Sequence, residues 1–324
     1  MPKARKQQIF LSETPYYHCV SRCVRRAFLC GFDKFTNHSF DHRREWVEKR
    51  LLFLSSVYAI DVCAFAVMSN HTHIVLKVNS DKAKGWSNKQ VLASWHKLHF
   101  GTLLTRQYCQ DAGLDEVLLP TVNASVEVYR ERLSNISWFM RDLNEYIARM
   151  ANAEDNCTGR FWEGRFRCQA LLDEAALIAC MAYVDLNPIR ANMAKSLNMS
   201  NHTSIQQRIK AALNNDQPAP LLPFTGGESL KKPIGIFFEL QDYLTLVDAT
   251  GRCIRKDKNG SISKHEELIL TKLSIIADNW LTISQRFEQL FTGAVGKEES
   301  LTHHIQHAQL KRRPNYRNSQ QYLA

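Results

Sequence analysis

The chain has 324 residues, of which 44% are hydrophobic, so it is long enough for one large domain or two ordinary ones with a real core. Its formal charge of +10 favours a polyanionic partner, because clustered Lys and Arg displace counterions from a phosphate backbone, although a soluble protein that happens to be basic stays an alternative. Nine scattered cysteines without a CxxC pair argue against a disulfide framework or a zinc ribbon, and no apolar run suits a signal peptide or a membrane span, so we expect a cytoplasmic protein.

The first predicted element is a strand over residues 15–21, PYYHCVS, which is short, aromatic and β-branched. Its histidine, His18, is a possible metal ligand by residue type, but a lone histidine in a strand is more often structural. Arg22, Arg25 and Arg26 follow the strand at once. We therefore expect this strand to deliver positive charge to a nucleic-acid partner.

An amphipathic helix and two more strands follow. Residues 41–60 repeat apolar side chains near the 3.6-residue period of a helix. Residues 62–67 and 72–78 then read as strands around a short turn. The order β-α-β-β is the first part of a ferredoxin-like α+β unit with an antiparallel sheet.

Two histidines, His71 and His73, lie in the apolar stretch AFAVMSNHTHIVLKV. Side chains at positions i and i+2 of a strand point to the same face, so the two imidazoles can share a metal ion. The alternative is a strand end whose histidines face solvent, and an isolated HxH pair does not decide between the two readings.

The middle of the chain contains an insertion and a basic aromatic stretch. We read residues 80–120, which are basic and of mixed polarity, as a partly helical insertion, and residues 125–150 as one helix. The next stretch, TGRFWEGRFRCQALL, interleaves cations and flat rings in the manner of a single-strand nucleic-acid contact. A β-hairpin with an aromatic core side and solvated arginines fits equally well. The candidate nucleic-acid contacts in this stretch are Arg160, Trp162, Arg165 and Arg167.

A helix then carries a tyrosine and an asparagine one turn apart. Asp173 is a plausible N-cap, and Pro188 predicts that the helix stops near Asn187. Because residues i and i+4 are neighbours on a helix, Tyr183 and Asn187 should lie side by side. In isolation, the pair also fits a tyrosine at a helix edge and an asparagine that simply ends the helix.

The last third of the chain changes in character. Prolines and glycines cluster between residues 196 and 228, which we interpret as a linker. Residues 229–324 contain apolar helical patterns and end in the basic stretch LKRRPNYRNS, so we expect an accessory region with a flexible basic tail.

Taken together, NHTH, GRFWEGRF and AYVDLNPIRANM resemble the corresponding stretches of the single-tyrosine HUH transposases, and most closely those of the REP-associated tyrosine transposases. The resemblance implies a catalytic domain over residues 10–195 with the HUH nuclease fold, a ferredoxin-like antiparallel sheet with helices on one face. It assigns a divalent cation, Mg²⁺ or Mn²⁺, to His71, His73 and Asn187, and the role of nucleophile to Tyr183. The chain departs from the pattern at Thr72, where the family usually has a bulky apolar residue.

The resemblance also implies the activity. The family cuts and rejoins single-stranded DNA with a hairpin through a 5'-phosphotyrosine intermediate, as a monomer or as a homodimer that exchanges the tyrosine helix. A tyrosine with a pKa of ~10 needs a base, and the sequence does not identify one. Two other functions stay open, a DNA-binding protein that has lost cleavage and an RNA-binding or RNA-processing protein.

Overall fold

The structure is a computed structural model that describes residues 8–24, 29–33, 37–110, 114–226, 235–255, 260–310 and 313–323. Its strands are β1 (Tyr16–Arg22), β2 (Phe32–Asp33), β3 (His38–Ser39), β4 (Ile60–Val67), β5 (His71–Val78) and β6 (Arg167–Leu171). Its α-helices are α1 (Arg43–Val57), α2 (Ser80–Gly85), α3 (Asn88–His96), α4 (Leu103–Cys109), α5 (Leu119–Leu133), α6 (Ile136–Glu154), α7 (Glu174–Asp185), α8 (Asn187–Arg190), α9 (Ser204–Ala212), α10 (Leu240–Ile254), α11 (Lys264–Leu273), α12 (Ala277–Leu290), α13 (Glu298–His307) and α14 (Tyr316–Tyr322).

The main sheet has four antiparallel strands in the order β4-β5-β1-β6. The first strand in sequence is therefore central, and the last one is an edge. With α1 and α6 as the crossover helices, the chain order β-α-β-β-α-β is that of a ferredoxin-like unit. The predicted α+β class and antiparallel sheet are confirmed.

Helices cover both faces of this sheet, which corrects the expectation of helices on one face. Alternate strand residues, such as Tyr17 and Ile74, belong to a core shared with α1 and α6. Their neighbours on the opposite face, such as Val75 and Leu171, belong to a second core with α7, α10 and α12. The physical reason is that the strands carry apolar residues on both sides, so both faces must be shielded from water.

Helix α7 is buried on nearly every side, from Ala175 to Asp185. This is the behaviour of a helix that is apolar all round, between a sheet and a further layer of helices. Helix α7 ends at Asp185, close to the predicted stop near Asn187. The chain does not become extended there, because a separate helical turn, α8, begins at Asn187. Pro188 fits there because the first turn of a helix does not use its backbone N–H groups.

Two other regions differ from their predicted form. Residues 125–150 belong to two helices, because the chain turns at Ser134 and the Asn135 side chain caps α6. The inserted residues 80–120 form short helices that pack on α5. None of the described helices is long and apolar enough to cross a membrane.

The segment predicted as a linker, 196–228, contains α9, which packs on β4. Arg208 of this helix is fully buried and donates to the carbonyl oxygens of Cys63 and Leu222. The segment is therefore ordered over its described part, because it fills space beside the sheet.

The C-terminal helices share a core with the sheet. Helix α12 packs directly on α7, and Val295 bonds through its backbone to Ala170 and Leu172 beside β6. The basic tail was predicted to be flexible, but its described part includes α14, whose preceding Asn315 side chain bonds to Thr292 and Ala294. Lys311 and Arg312 lie outside the described residues.

Candidate active site

Three of the four predicted site residues gather where α7 crosses the sheet. His71 and His73 share the face of β5 that looks toward α7, and their ring centroids lie 4.8 Å apart. The Tyr183 ring lies 5.7 Å from that of His73, centroid to centroid. The tyrosine helix therefore packs on the sheet of its own chain.

A hydrogen-bond relay fixes which nitrogen of His73 carries the proton. Gln169 donates from Nε2 to the carbonyl oxygen of Phe291 at 3.0 Å, so its Oε1 faces His18 Nδ1 at 3.4 Å and accepts the proton there. His18 Nε2 is then an acceptor and receives the Nδ1–H of His73 at 3.0 Å. The lone pair of His73 is left on Nε2, which is buried and has no hydrogen-bond partner among the described residues.

The second histidine is fixed in the same tautomer. His71 Nδ1 lies 2.6 Å from the side-chain oxygen of Asn70, so Nδ1 donates and Nε2 keeps its lone pair. Burial lowers the pKa of His71 to about 4, and burial also holds the pKa of His73 well below its usual value. Both rings are neutral at pH 7, which is the form of imidazole that binds metal ions.

Tyr183 lies between a carboxylate and a guanidinium. Its hydroxyl donates to Oε2 of Glu288 on α12 at 3.2 Å. The guanidinium carbon of Arg190 lies 3.8 Å from the centre of its ring, and Arg190 also donates to the backbone oxygens of Tyr183 and Ser284. Burial raises the pKa of Tyr183, Arg190 opposes that rise, and Glu288 adds to it. The phenol is thus protonated at pH 7 and hydrogen-bonded to a group that can accept its proton.

Asn187, the fourth predicted residue, is 7% exposed and lies one turn beyond Tyr183. Its Nδ2 is buried without a hydrogen-bond partner within the described part of the chain. Because amide nitrogen and oxygen are assigned from their surroundings, an orphaned Nδ2 marks a place where Oδ1 can be turned toward a ligand. The role of Asn187 as a metal ligand stays a prediction from the resemblance.

Asp185 fixes the end of the tyrosine helix. It is fully buried and accepts hydrogen bonds from the Ser204 hydroxyl at 2.5 Å, the Ile205 backbone at 3.1 Å and the Tyr243 hydroxyl at 2.5 Å. Burial raises the pKa of Asp185 to about 6, although the hydrogen bonds from Ser204 and Tyr243 oppose this rise. The carboxyl group therefore ties α7 to α9 and α10 between Tyr183 and Asn187.

The donor set fits a divalent cation. Two imidazole nitrogens with free lone pairs and one amide oxygen are ligands that Mn²⁺ accepts, and Mg²⁺ is bound through oxygen together with substrate phosphates. Within the described ranges, no group of three or more His, Cys, Asp or Glu side chains is arranged to hold a metal ion. The two histidines therefore have no third ligand of these four residue types within the described part of the chain.

The predicted nucleic-acid contacts fall into three groups. Arg22 is exposed at the end of β1 and pairs in register with His71, whereas Arg25 and Arg26 lie outside the described residues. Trp162 is half-buried, and its indole N–H donates to the Asn144 carbonyl at 2.7 Å. That ring holds its loop against α6 and is not free to stack on a base.

The three arginines around this tryptophan are all exposed. Arg160 donates from Nε to the Trp162 carbonyl oxygen at 2.8 Å. Arg165 and Arg167 form no ion pair with any other described residue. Their guanidinium groups are therefore open to an anionic ligand.

The sequence did not single out Glu288, Gln169 or Asp185, and it ranked His18 below the other histidines. His18 and Gln169 had one available signal: both lie at alternate strand positions on the face that carries the histidine pair. Asp185 had another, since a carboxylate that follows ten uncharged and mostly apolar helical residues must find buried partners. Nothing near Glu288 in sequence indicates its role.

Comparisons with known proteins give one structural likeness. No family model and no curated protein matches the chain. A solved structure of a REP-associated tyrosine transposase bound to a REP hairpin is similar over 66% of this chain and 88% of that one, with 11% sequence identity and a TM-score of 0.39. At this level of similarity the likeness concerns the fold alone.

Proposed function

We propose that this protein cuts and rejoins single-stranded DNA containing a hairpin, with Tyr183 as the nucleophile and Mg²⁺ or Mn²⁺ as the cofactor. The observation that carries the proposal is the grouping of Tyr183 with two neutral imidazoles whose Nε2 lone pairs are free, one of them buried without a partner among the described residues. The resemblance of NHTH and YVDLNP to the HUH transposases supports the same assignment.

The residues divide the chemistry among them. The Tyr183 oxygen attacks phosphorus while its proton passes to Glu288, which already accepts the phenol hydrogen bond. The bond from phosphorus to the 3'-oxygen of the preceding nucleotide breaks, and that oxygen takes up a proton to become a free 3'-OH. Because the phosphotyrosine ester keeps the bond energy, attack by a 3'-OH reverses the step and rejoins DNA.

The surrounding groups stabilise the charge that develops. Arg190 lies against the tyrosine ring and favours its anionic form. When bound by His71, His73 and Asn187, a divalent cation would polarise the phosphate and neutralise charge in the transition state. His18 and Gln169 hold His73 in the tautomer that presents Nε2.

A DNA-binding protein without cleavage is the second candidate. One observation favours it: Tyr183 is only 8% exposed and its hydroxyl is already bound to Glu288, so the residue also serves in the core. This candidate predicts DNA binding that needs no metal ion and yields no covalent product.

The deciding experiment is an adduct assay on 3'-labelled single-stranded hairpin DNA, with and without Mn²⁺, read on a denaturing gel, because the 3' fragment is the one that stays joined to the tyrosine. Wild-type protein should form a covalent adduct only with the metal ion, and Tyr183→Phe should form none while still binding the DNA. Tyr146→Phe, which removes an exposed phenol on α6, is the matched control. An adduct of unchanged yield in Tyr183→Phe rules out the assignment. A matched RNA hairpin separates DNA chemistry from RNA processing.

A further inference from the structure

A cavity of about 850 Å³ lies beside the candidate active site, between β6 and the C-terminal helices. His18, Gln169 and Glu288 line it, so it shares side chains with the site around Tyr183. Its volume falls within the ~300–1,000 Å³ of pockets that bind small molecules. A ligand held here would lie next to the tyrosine and its proton acceptor.

The inner walls of the cavity are apolar and partly aromatic. Phe166 comes from the approach to β6 and Phe291 from the end of α12, while Leu301 and Ile305 come from α13. The exposed fractions of these four side chains lie between 0% and 9%, so they form an apolar wall against which a flat base can pack, without an open ring face for stacking. These walls favour an unstacked base over a small polar metabolite.

The exposed side of the cavity is cationic. Arg160, Arg165 and Arg167 all line it and are exposed to solvent. Glu288 also lines it, but its carboxylate accepts the hydrogen bond from Tyr183. An apolar interior with guanidinium groups at its rim suits a ligand that has one flat apolar part and one anionic part, which describes a nucleotide.

We propose that this cavity binds one unstacked nucleotide of single-stranded DNA, next to the phosphate that Tyr183 attacks. The base packs among Phe166, Phe291 and Ile305, and the adjoining phosphates lie at Arg165 and Arg167. This proposal rests on the proposed function, since it assigns the nucleotide to the same strand. It makes the C-terminal helices part of the DNA-binding surface.

The first test fills the cavity in full-length protein that carries Tyr183→Phe, so that no cleavage occurs. Ile305→Trp adds bulk inside the cavity, whereas Leu268→Trp adds the same bulk at an exposed position of α11. The probe is fluorescein-labelled oligodeoxythymidylate of twelve residues, measured by fluorescence anisotropy at fixed salt. Because the tryptophan would exclude one base from the cavity, we expect a ~10-fold weaker affinity for Ile305→Trp and no change for Leu268→Trp. Equal affinities in the two variants overturn the proposal.

The second test does not depend on how the core tolerates a tryptophan. In the same background, Arg165→Gln combined with Arg167→Gln should weaken binding and make it less dependent on salt, by ~0.7 in the logarithmic slope for each phosphate that the protein no longer neutralises. Arg149→Gln removes an exposed charge on α6 that does not line the cavity, and it is the control. A salt slope equal to that of the background protein overturns the proposal, as does tighter binding of twelve-residue oligouridylate, which would assign the cavity to RNA.

The outcomes for the cavity and for the tyrosine chemistry are separable. If wild-type protein forms the adduct and Ile305→Trp binds the probe normally, the cavity proposal fails and the proposed function stands. If no adduct forms but the cavity variants lose affinity for the probe, the proposed chemistry fails and the nucleotide site stands. A thermal unfolding curve for each variant shows whether it is folded.

Discussion

Replacing Glu288 by Gln tests the assignment of the proton acceptor, because the change keeps the size of the side chain and removes its ability to take a proton at pH 7. The Glu288 carboxylate lies 3.2 Å from the Tyr183 hydroxyl, at the outer limit of reach for a general base. A phenol with an ordinary pKa of ~10 is ionised in about one molecule in a thousand at pH 7, and burial raises the pKa of Tyr183 further. We therefore expect Glu288→Gln to slow adduct formation by ~10³-fold, within the ~10²–10⁴ that general bases contribute.

The assay is single-turnover adduct formation on labelled hairpin DNA with saturating Mn²⁺, measured as a function of pH. The rate for Glu288→Gln should rise steeply with pH, because hydroxide replaces the missing base, whereas the wild-type rate should depend less on pH. Glu299→Gln, which removes an exposed carboxylate on α13, should behave as wild type. If Glu288→Gln stays within about threefold of the wild-type rate across the pH range, Glu288 is not the base and the hydrogen bond is only structural.

Three further substitutions test residues that orient or stabilise the residues of the candidate site. Gln169→Leu removes the amide that sets the histidine relay, and we expect Mn²⁺ affinity, measured by calorimetry, to fall ~10–100-fold; unchanged affinity would mean that the tautomer is fixed in another way. Tyr243→Phe removes one donor to the buried Asp185 carboxyl and should lower the free energy of unfolding in urea by ~1.5–3 kcal/mol, a loss that Tyr322→Phe on the same core should not reproduce. Arg190→Gln removes the cation against the nucleophile's ring and should slow adduct formation by ~10-fold, the equivalent of ~1.4 kcal/mol; an equal rate would limit the arginine to a packing role.

The shared orientation of the two histidines on β5 could be predicted from the sequence. A strand alternates its faces with an exact period of two, so His71 and His73 had to point the same way wherever the strand lay. The apolar residues on either side of the pair required a buried sheet, which the structure has. Helical spacing predicts that the tyrosine and the asparagine lie side by side, since four residues make about one turn, and this stays a prediction because α7 ends between the two residues.

The layers around the sheet were harder to predict. The sequence of helix α7 suggests an ordinary helix with one apolar stripe. Its other sides carry alanine, cysteine and isoleucine, which are apolar too, so the helix is apolar on every side. A helix of that kind needs cover on every side, and that cover comes from α10 and α12, which lie far along the chain. Local patterns do not indicate which distant helix will supply it.

The functional role of Glu288 illustrates the same limit. Its neighbours in sequence form an amphipathic helix with a carboxylate on its surface, like many others. Only the packing of α12 on α7 brings that carboxylate to the tyrosine. A residue whose role depends on tertiary contact has no signal at the level of periodicity or motif.

The position of Glu288 in the chain also affects when the protein becomes reactive during its synthesis. A ribosome makes His71, His73 and Tyr183 first, and it reaches Glu288 only 105 residues after the tyrosine. Until α12 docks, the nascent chain holds the nucleophile without its proton acceptor and without one wall of the nucleotide cavity. On our proposal, a fragment that ends before Ala277 lacks the proton acceptor of Tyr183, the Phe291 carbonyl that anchors Gln169 and the helix that covers α7, so it would bind metal weakly and cut DNA slowly.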